Sequence, residues 1–185
     1  MDYLESSSTQ YIDTGWMINW AQDISITGSF ALPSTGNRLC VIGGYNGSNG
    51  LNIEIKTDQK VRLYEFSGGL DLTSSAALTA GTVYPLSYSY NASTGATNLT
   101  ISDISLSATK QSSASSSRTE RLFADNRGTG TFKAIRIYGM RISNGGLVRD
   151  FVPVLTKSNE AAMYDQVSGT IFYNPGSGNF VVPSP

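Results

Sequence analysis

The chain has 185 residues, 15% of them charged, and a formal net charge of −1. It has no histidine and a single cysteine, Cys40. These counts exclude a Ser-His-Asp triad, a histidine base, histidine-ligated metals, an internal disulfide and a thiolate zinc cluster. The charge balance leaves no basic footprint for nucleic acid. Charge is replaced by 26 Ser, 17 Thr, 12 Asn and 19 Gly, residues of strands and turns rather than helices. Length and composition predict one all-β domain over 1–185.

Met1 to Gln10 is polar and holds two acids. It lacks the basic start and the apolar run of about 7 to 15 residues of a secretory signal. No apolar run approaches the roughly 20 residues of a membrane span. The expectation is synthesis in the cytoplasm without a signal peptide and no membrane insertion. The chain would then reach the outside by cell lysis or on a larger particle.

Period-2 patterns recur along the chain and long 3.6-residue patterns do not. Ile24, Ile26, Phe30 and Leu32 alternate with polar residues, predicting a half-buried antiparallel strand. Cys40, between Leu39 and Val41, is expected to be a buried small hydrophobe on a strand. Leu51 to Phe66 predicts a hairpin. A two-residue loop at Asp58-Gln59 would mix its faces. A three-residue loop, Thr57 to Gln59, pairs Ile53 with Leu63 and Ile55 with Val61, and sets Glu54 opposite Arg62 on the outer face. Ser67 to Ala80 is rich in Gly, Ser and Ala and is expected to be a long loop with a helical turn near Ala76-Ala77-Leu78. Tyr84, Leu86, Tyr88 and Tyr90 alternate with polar partners. The turn Asn91 to Gly95 follows, and Leu99 and Ile101 complete a hairpin.

Ser112 to Ser117 is of low complexity and is expected to be a loop tip. Phe132 to Ile142 predicts a central strand, with Ile135 and Ile137 on one face and Tyr138, Met140 and Ile142 on the other. Asn144-Gly145-Gly146 is a hairpin turn. Leu147 to Leu155 is its partner, at an edge or bulged where Pro153 lacks a donor. Short strands are expected at Thr170 to Tyr173 and Phe180 to Val182. Ten to thirteen strands require two stacked sheets, hence a two-sheet antiparallel β-sandwich.

Two stretches carry a family resemblance. The first is Tyr3-Leu-Glu-Ser-Ser-Ser-Thr-Gln-Tyr-Ile-Asp-Thr-Gly15. The second runs through Leu122-Phe-Ala-Asp-Asn-Arg127, Ile135-Arg-Ile-Tyr138, Leu147-Val-Arg-Asp-Phe-Val-Pro-Val154, Met163-Tyr-Asp165, Ile171-Phe-Tyr-Asn174 and Gly176-Ser-Gly-Asn-Phe180. Together they resemble concanavalin-A-like, laminin-G-like jelly-roll domains of phage and prophage structural proteins and gut-bacterial surface proteins. The resemblance covers roughly the first 15 and last 65 residues. It implies a curved sandwich whose N- and C-terminal strands lie close together. It also implies carbohydrate or surface binding, or a structural role in a virion, more than catalysis. The matched residues read as fold determinants: Tyr11, Tyr138, Phe151, Phe172 and Phe180 in the core, Gly15, Gly176 and Gly178 in turns, and Arg149-Asp150 as a structural ion pair.

Glycoside hydrolysis needs two carboxylates about 5 to 9.5 Å apart. The nearest pattern is Glu54-Ile-Lys-Thr-Asp58. Lys56 occupies the place of the middle acid, and the two acids would stand about 13 Å apart at about 3.4 Å per residue. No catalytic residue is therefore assigned. Calcium would need Asp125 and Asn126 with Asp71 or Asp103, against the simpler reading that these residues cap turns. Sugar binding needs a ring for the apolar face of the saccharide and nearby polar groups. Trp20 in the loop-like Asn19 to Gln22, Tyr45 with Asn46 in a polar loop, and Tyr64 are the candidate residues; Trp16 is a further ring. The function expected is a non-enzymatic module of a phage or prophage particle, a fibre, tail or capsid decoration. It would contact other virion proteins, cell-surface glycans or its own copies. A bacterial surface lectin is the alternative, and a glycoside hydrolase stands behind both.

Overall fold

The structure is a computed structural model, described for all residues except 45–49, 66–68, 111–114, 126–133 and 183–185. In chain order the strands are β1 (Leu4–Glu5), β2 (Ile12–Asp13), β3 (Ile24–Ala31), β4 (Leu39–Gly43) and β5 (Leu51–Ile55). Then come β6 (Lys60–Glu65), β7 (Leu70–Ala77), β8 (Val83–Tyr90), β9 (Ala96–Ile101) and β10 (Ile104–Thr109). The last five are β11 (Arg121–Leu122), β12 (Arg136–Asn144), β13 (Leu147–Leu155), β14 (Ala161–Asp165) and β15 (Thr170–Phe172).

Two antiparallel sheets result. The larger runs β10-β9-β8-β3-β12-β13-β14-β15, with β1 also pairing β12. The smaller runs β2-β11-β4-β5-β6-β7. Ile24, Ile26 and Phe30 from β3, Leu86 and Tyr88 from β8, Ile53 and Ile55 from β5 and Val61 and Leu63 from β6 share one buried core cluster. Each such side chain contributes about 1.5–3 kcal/mol through the apolar area it removes from water. The chain is an all-β sandwich, as the alternating patterns require. The termini meet: Val181 donates its N–H to the carbonyl of Glu5 at 2.8 Å.

The β5–β6 hairpin has the predicted register, with Ile53 opposite Leu63, Glu54 opposite Arg62 and Ile55 opposite Val61. Its three-residue loop closes through Gln59 at φ 62°. The β8–β9 turn is built on Asn91, whose Oδ1 accepts from the N–H groups of Ser93 and Thr94.

Several expectations are corrected. The long loop predicted over Ser67 to Ala80 contains β7. Leu70 faces the core, and buried Ser74 accepts the Val61 N–H at 2.9 Å. Small outward residues hid this strand. In β12 the two apolar faces merge into one. A bulge between Ile137 and Gly139 shifts the alternation by one residue, so Ile135, Ile137, Met140 and Ile142 are all buried. Gly28 lies beside the bulge, where a Cβ would stand 2.4 Å from the Gly139 carbonyl oxygen.

β13 lies between β12 and β14, but its pairing with β12 stops at Phe151. Pro153 thus falls where no β12 acceptor needs its missing N–H. Arg149 does not pair with Asp150. It donates to the Thr14 carbonyl at 2.8 Å and stands 3.8 Å from Asp165. Of the rings expected in the core, Phe151 and Phe180 are buried, while Tyr11, Tyr138 and Phe172 are half-buried. Phe132 and residues 112–114 of the Ser112 to Ser117 stretch lie outside the described residues.

Candidate functional site

The smaller sheet turns one set of side chains inward and the other outward. Strand register places Arg121, Gly43, Asn52, Tyr64 and Asp71 in one outward row across β11, β4, β5, β6 and β7. The next row holds Cys40, Glu54, Arg62 and Thr73. Across β6 and β7, Arg62 and Asp71 are diagonal neighbours. Asp71 accepts two parallel hydrogen bonds from Arg62, from Nε at 2.8 Å and from Nη2 at 2.7 Å. The Arg62 guanidinium lies over the Tyr64 ring, 4.6 Å from its centroid. This contact supplies cation–π attraction. Hydrogen bonding to Asp71 raises the Arg62 pKa, and the guanidinium in turn holds the Asp71 carboxyl below the usual carboxylate range.

A buried layer supports this pair. Glu54 stands opposite Arg62 on the outer face as expected, yet it is only 1% exposed. Its carboxylate accepts from Arg38 Nε at 3.2 Å and Nη2 at 2.6 Å, and lies 3.8 Å from Arg62. Asn52 donates to Glu54 at 2.8 Å and to Asp125 at 3.0 Å. Gly43 makes room for this: a Cβ there would meet Asn52 Oδ1 at 2.5 Å and Asp125 Cβ at 2.9 Å. Beside the layer, Arg121 stacks on Tyr11 at 4.3 Å. Buried charges persist where they have partners, and here carboxylate pairing orients two guanidinium groups, those of Arg38 and Arg62. An array of this kind can hold hydroxyl groups through charge-assisted hydrogen bonds of set direction.

Of the four sugar-site candidates, the two that are described, Tyr64 and Trp20, separate. Tyr64 is half-buried in the array just described. Trp20 sits on a turn, as expected, but its ring points inward. It is 1% exposed and meets Tyr90 edge-on at 5.0 Å and 82°. Its assignment as a ligand-facing ring is corrected to a core element. Trp16 is also buried, and its indole N–H donates to Asn144 Oδ1 at 3.2 Å. Tyr45 and Asn46 lie outside the described residues. Sequence reasoning missed Arg38, Asn52 and Asp71 as a group. Only the predicted Glu54–Arg62 register pointed towards them.

Of the expected calcium ligands, Asn126 lies outside the described residues, and Asp71, Asp103 and Asp125 do not converge. Asp71 is taken up by Arg62, Asp125 is buried against Asn52, and Asp103 lies on the turn between β9 and β10 of the other sheet. Among the described residues no group of three His, Cys, Asp or Glu could hold a metal ion. The acids of the rejected hydrolase pattern also differ in place, since Glu54 is buried on β5 and Asp58 is exposed in the loop after it. Inside the sandwich, burial raises the Glu65 pKa, opposed by hydrogen bonds from Tyr88 at 2.7 Å and Thr97 at 3.1 Å. Burial also drives the Glu120 carboxyl well above its ordinary range.

Two open clefts lie elsewhere. One of about 630 Å³ is lined by Gln22, Asp23, Ser25, Ser93 and Ser143 at one end of the larger sheet. The other, of about 570 Å³, is lined by Val154, Leu155, Tyr164, Ile171 and Tyr173.

No protein-family model and no curated protein matches the chain. Solved structures do. A candidate carbohydrate-binding protein from Bacteroides ovatus superposes with a TM-score of 0.59 at 10% identity, over 95% of this chain and 59% of that one. The Ruminococcus gnavus IT-sialidase CBM40 bound to α2,3-sialyllactose gives 0.53 at 12% identity, over 75% of this chain and 89% of that one. Domains LG4-5 of the mouse laminin α1 chain give 0.50 at 17% identity, over 81% and 41%. The chain thus spans about three-fifths of the Bacteroides protein. Its fold is the concanavalin-A-like, laminin-G-like β-sandwich that the resemblance in its sequence implied.

Proposed function

We propose that the chain is a non-enzymatic glycan-binding module whose saccharide site is the outer face of the smaller sheet, around Arg62, Tyr64 and Asp71. The observation that carries this reading is the bidentate Arg62–Asp71 pair laid over the Tyr64 ring on that face. A sugar hydroxyl both donates and accepts. The pair offers a charged acceptor beside a charged donor, each held in a fixed plane. The carbohydrate-binding neighbours support the reading at the level of fold, and fold alone does not assign function.

A shallow site of this kind, where Arg62 and Asp71 reach solvent at the β6–β7 end of the face, binds each saccharide weakly and gains strength from many copies. Such avidity suits a module carried on a phage or prophage particle as a fibre, tail or capsid decoration, in contact with other virion proteins. The same resemblance allows a bacterial cell surface as the carrier. The test of the site is a glycan array probed with wild type and Tyr64→Ala. Binding that falls at least about fivefold in the folded variant supports the site, since stacking on an aromatic ring is worth about 1–3 kcal/mol. Binding unchanged by Tyr64→Ala moves the site elsewhere. Wild type silent on the array removes the glycan reading. The carrier is tested by mass spectrometry of purified particles and of washed cell envelopes. Presence on envelopes alone would replace the virion role.

A further inference from the structure

We infer that this site selects uncharged glycans over glycans bearing a carboxylate, and that Asp71 makes the choice. The inference rests on the glycan reading of the same face. A carboxylated sugar is best held by a guanidinium fork, two parallel N–H groups meeting two oxygens. The outward guanidinium at the centre of the site is Arg62, and its Nε–Nη2 fork is already closed by Asp71 at 2.8 and 2.7 Å. Its other terminal nitrogen, Nη1, faces Glu54 at 3.8 Å.

Arg38 also has its Nε and Nη2 engaged, both by Oε2 of Glu54. Arg121 is turned to the Tyr11 ring at 4.3 Å and to the Asp125 carbonyl at 3.5 Å. A ligand carboxylate reaching the Arg62 fork would have to displace Asp71, which also lies within the field of Lys56. The Asp71 side chain is 47% exposed, and like charges at close range repel. A neutral hydroxyl meets no such barrier, because the carboxylate keeps unused lone pairs for it.

The arrangement follows from register. Tyr64 stands opposite Asp71, which sets Asp71 diagonal to Arg62 and within reach of its fork. The Ruminococcus gnavus module holds sialyllactose but shares only the fold with this chain, and acid recognition does not transfer with the fold.

The test is an array of neutral glycans printed at matched density with their sialylated or uronate-bearing counterparts. It is probed with wild type, Tyr64→Ala and Asp71→Asn, each checked by thermal melting. Wild type is expected to bind neutral glycans at least about tenfold better than the acidic partners. Higher salt should narrow that ratio, because it screens the repulsion. Asp71→Asn, which keeps size and removes charge, should narrow the ratio at low salt.

Wild type that binds acidic partners as well as or better than neutral ones, with binding lost in Tyr64→Ala, overturns the inference and leaves the glycan site standing. A neutral preference unchanged in Asp71→Asn overturns the role of Asp71. Wild type silent on every glycan overturns both. The wild-type ratio decides the selectivity even if a variant fails to fold.

Discussion

Replacing Trp20 separates a core ring from a ligand-facing ring. The side chain is 1% exposed and packs edge-on against Tyr90. Trp20→Ala should cost about 3–5 kcal/mol through lost burial and the cavity left behind. For a chain of this length each kcal/mol lowers Tm by about 2–4 °C, so the melting temperature should drop by roughly 6–20 °C. The indole N–H has no hydrogen-bond partner among the described residues. Trp20→Phe therefore breaks no hydrogen bond and keeps most of the apolar area. It should cost less than about 1.5 kcal/mol. Differential scanning calorimetry of the three proteins, with glycan binding measured well below each Tm, checks both values. Both variants melting within about 1 °C of wild type would refute a core role, as substitutions of exposed rings usually change stability by less than about 0.5 kcal/mol. Binding lost by folded Trp20→Phe would refute the placement of the saccharide site on the smaller sheet.

Burial holds the Glu65 carboxyl above its ordinary value, so the folded state keeps a proton that the unfolded chain has released. Stability from this group is full below the unfolded pKa and falls as pH rises towards the folded one. Glu65→Gln should therefore gain on wild type between pH 4 and pH 8 in urea denaturation, leaving a smaller slope of the same sign from Glu120; a steeper fall with pH would contradict this. Gly28→Ala should destabilise by about 1–3 kcal/mol, because its Cβ would meet the Gly139 carbonyl oxygen at 2.4 Å. Melting unchanged by that substitution would show that the bulge can shift at no cost.

What could be read in the chain was what alternation and turn chemistry specify locally. The β5–β6 register followed from the requirement that Ile53, Ile55, Val61 and Leu63 share a buried face. The β8–β9 turn followed from Asn91. The β12 bulge was not legible, because one extra residue inverts the faces of a strand without any marker in composition. β7 was hidden by Ser and Ala at its outward positions. Trp20 was misplaced despite an available signal. Ile12, Thr14, Trp16, Ile18 and Trp20 are all buried, alternating with half-buried or exposed residues, a period-2 pattern running into the turn. For the site, Tyr64 could be named from its residue type. Asp71 could not, because its role depends on a strand read as a loop. Arg38 and Asn52 could not either, because their partners are set by packing across the sheet.

The most direct test of the saccharide site is a ¹⁵N–¹H NMR titration with the strongest neutral binder from the array. The site on the smaller sheet predicts saturable shifts concentrated at Asn52, Arg62, Tyr64, Asp71 and Thr73 and absent from Ser25, Ser87 and Tyr173. Shifts confined to the cleft at Gln22 and Ser143, or to the groove at Tyr164 and Tyr173, would contradict it and move the site to the larger sheet.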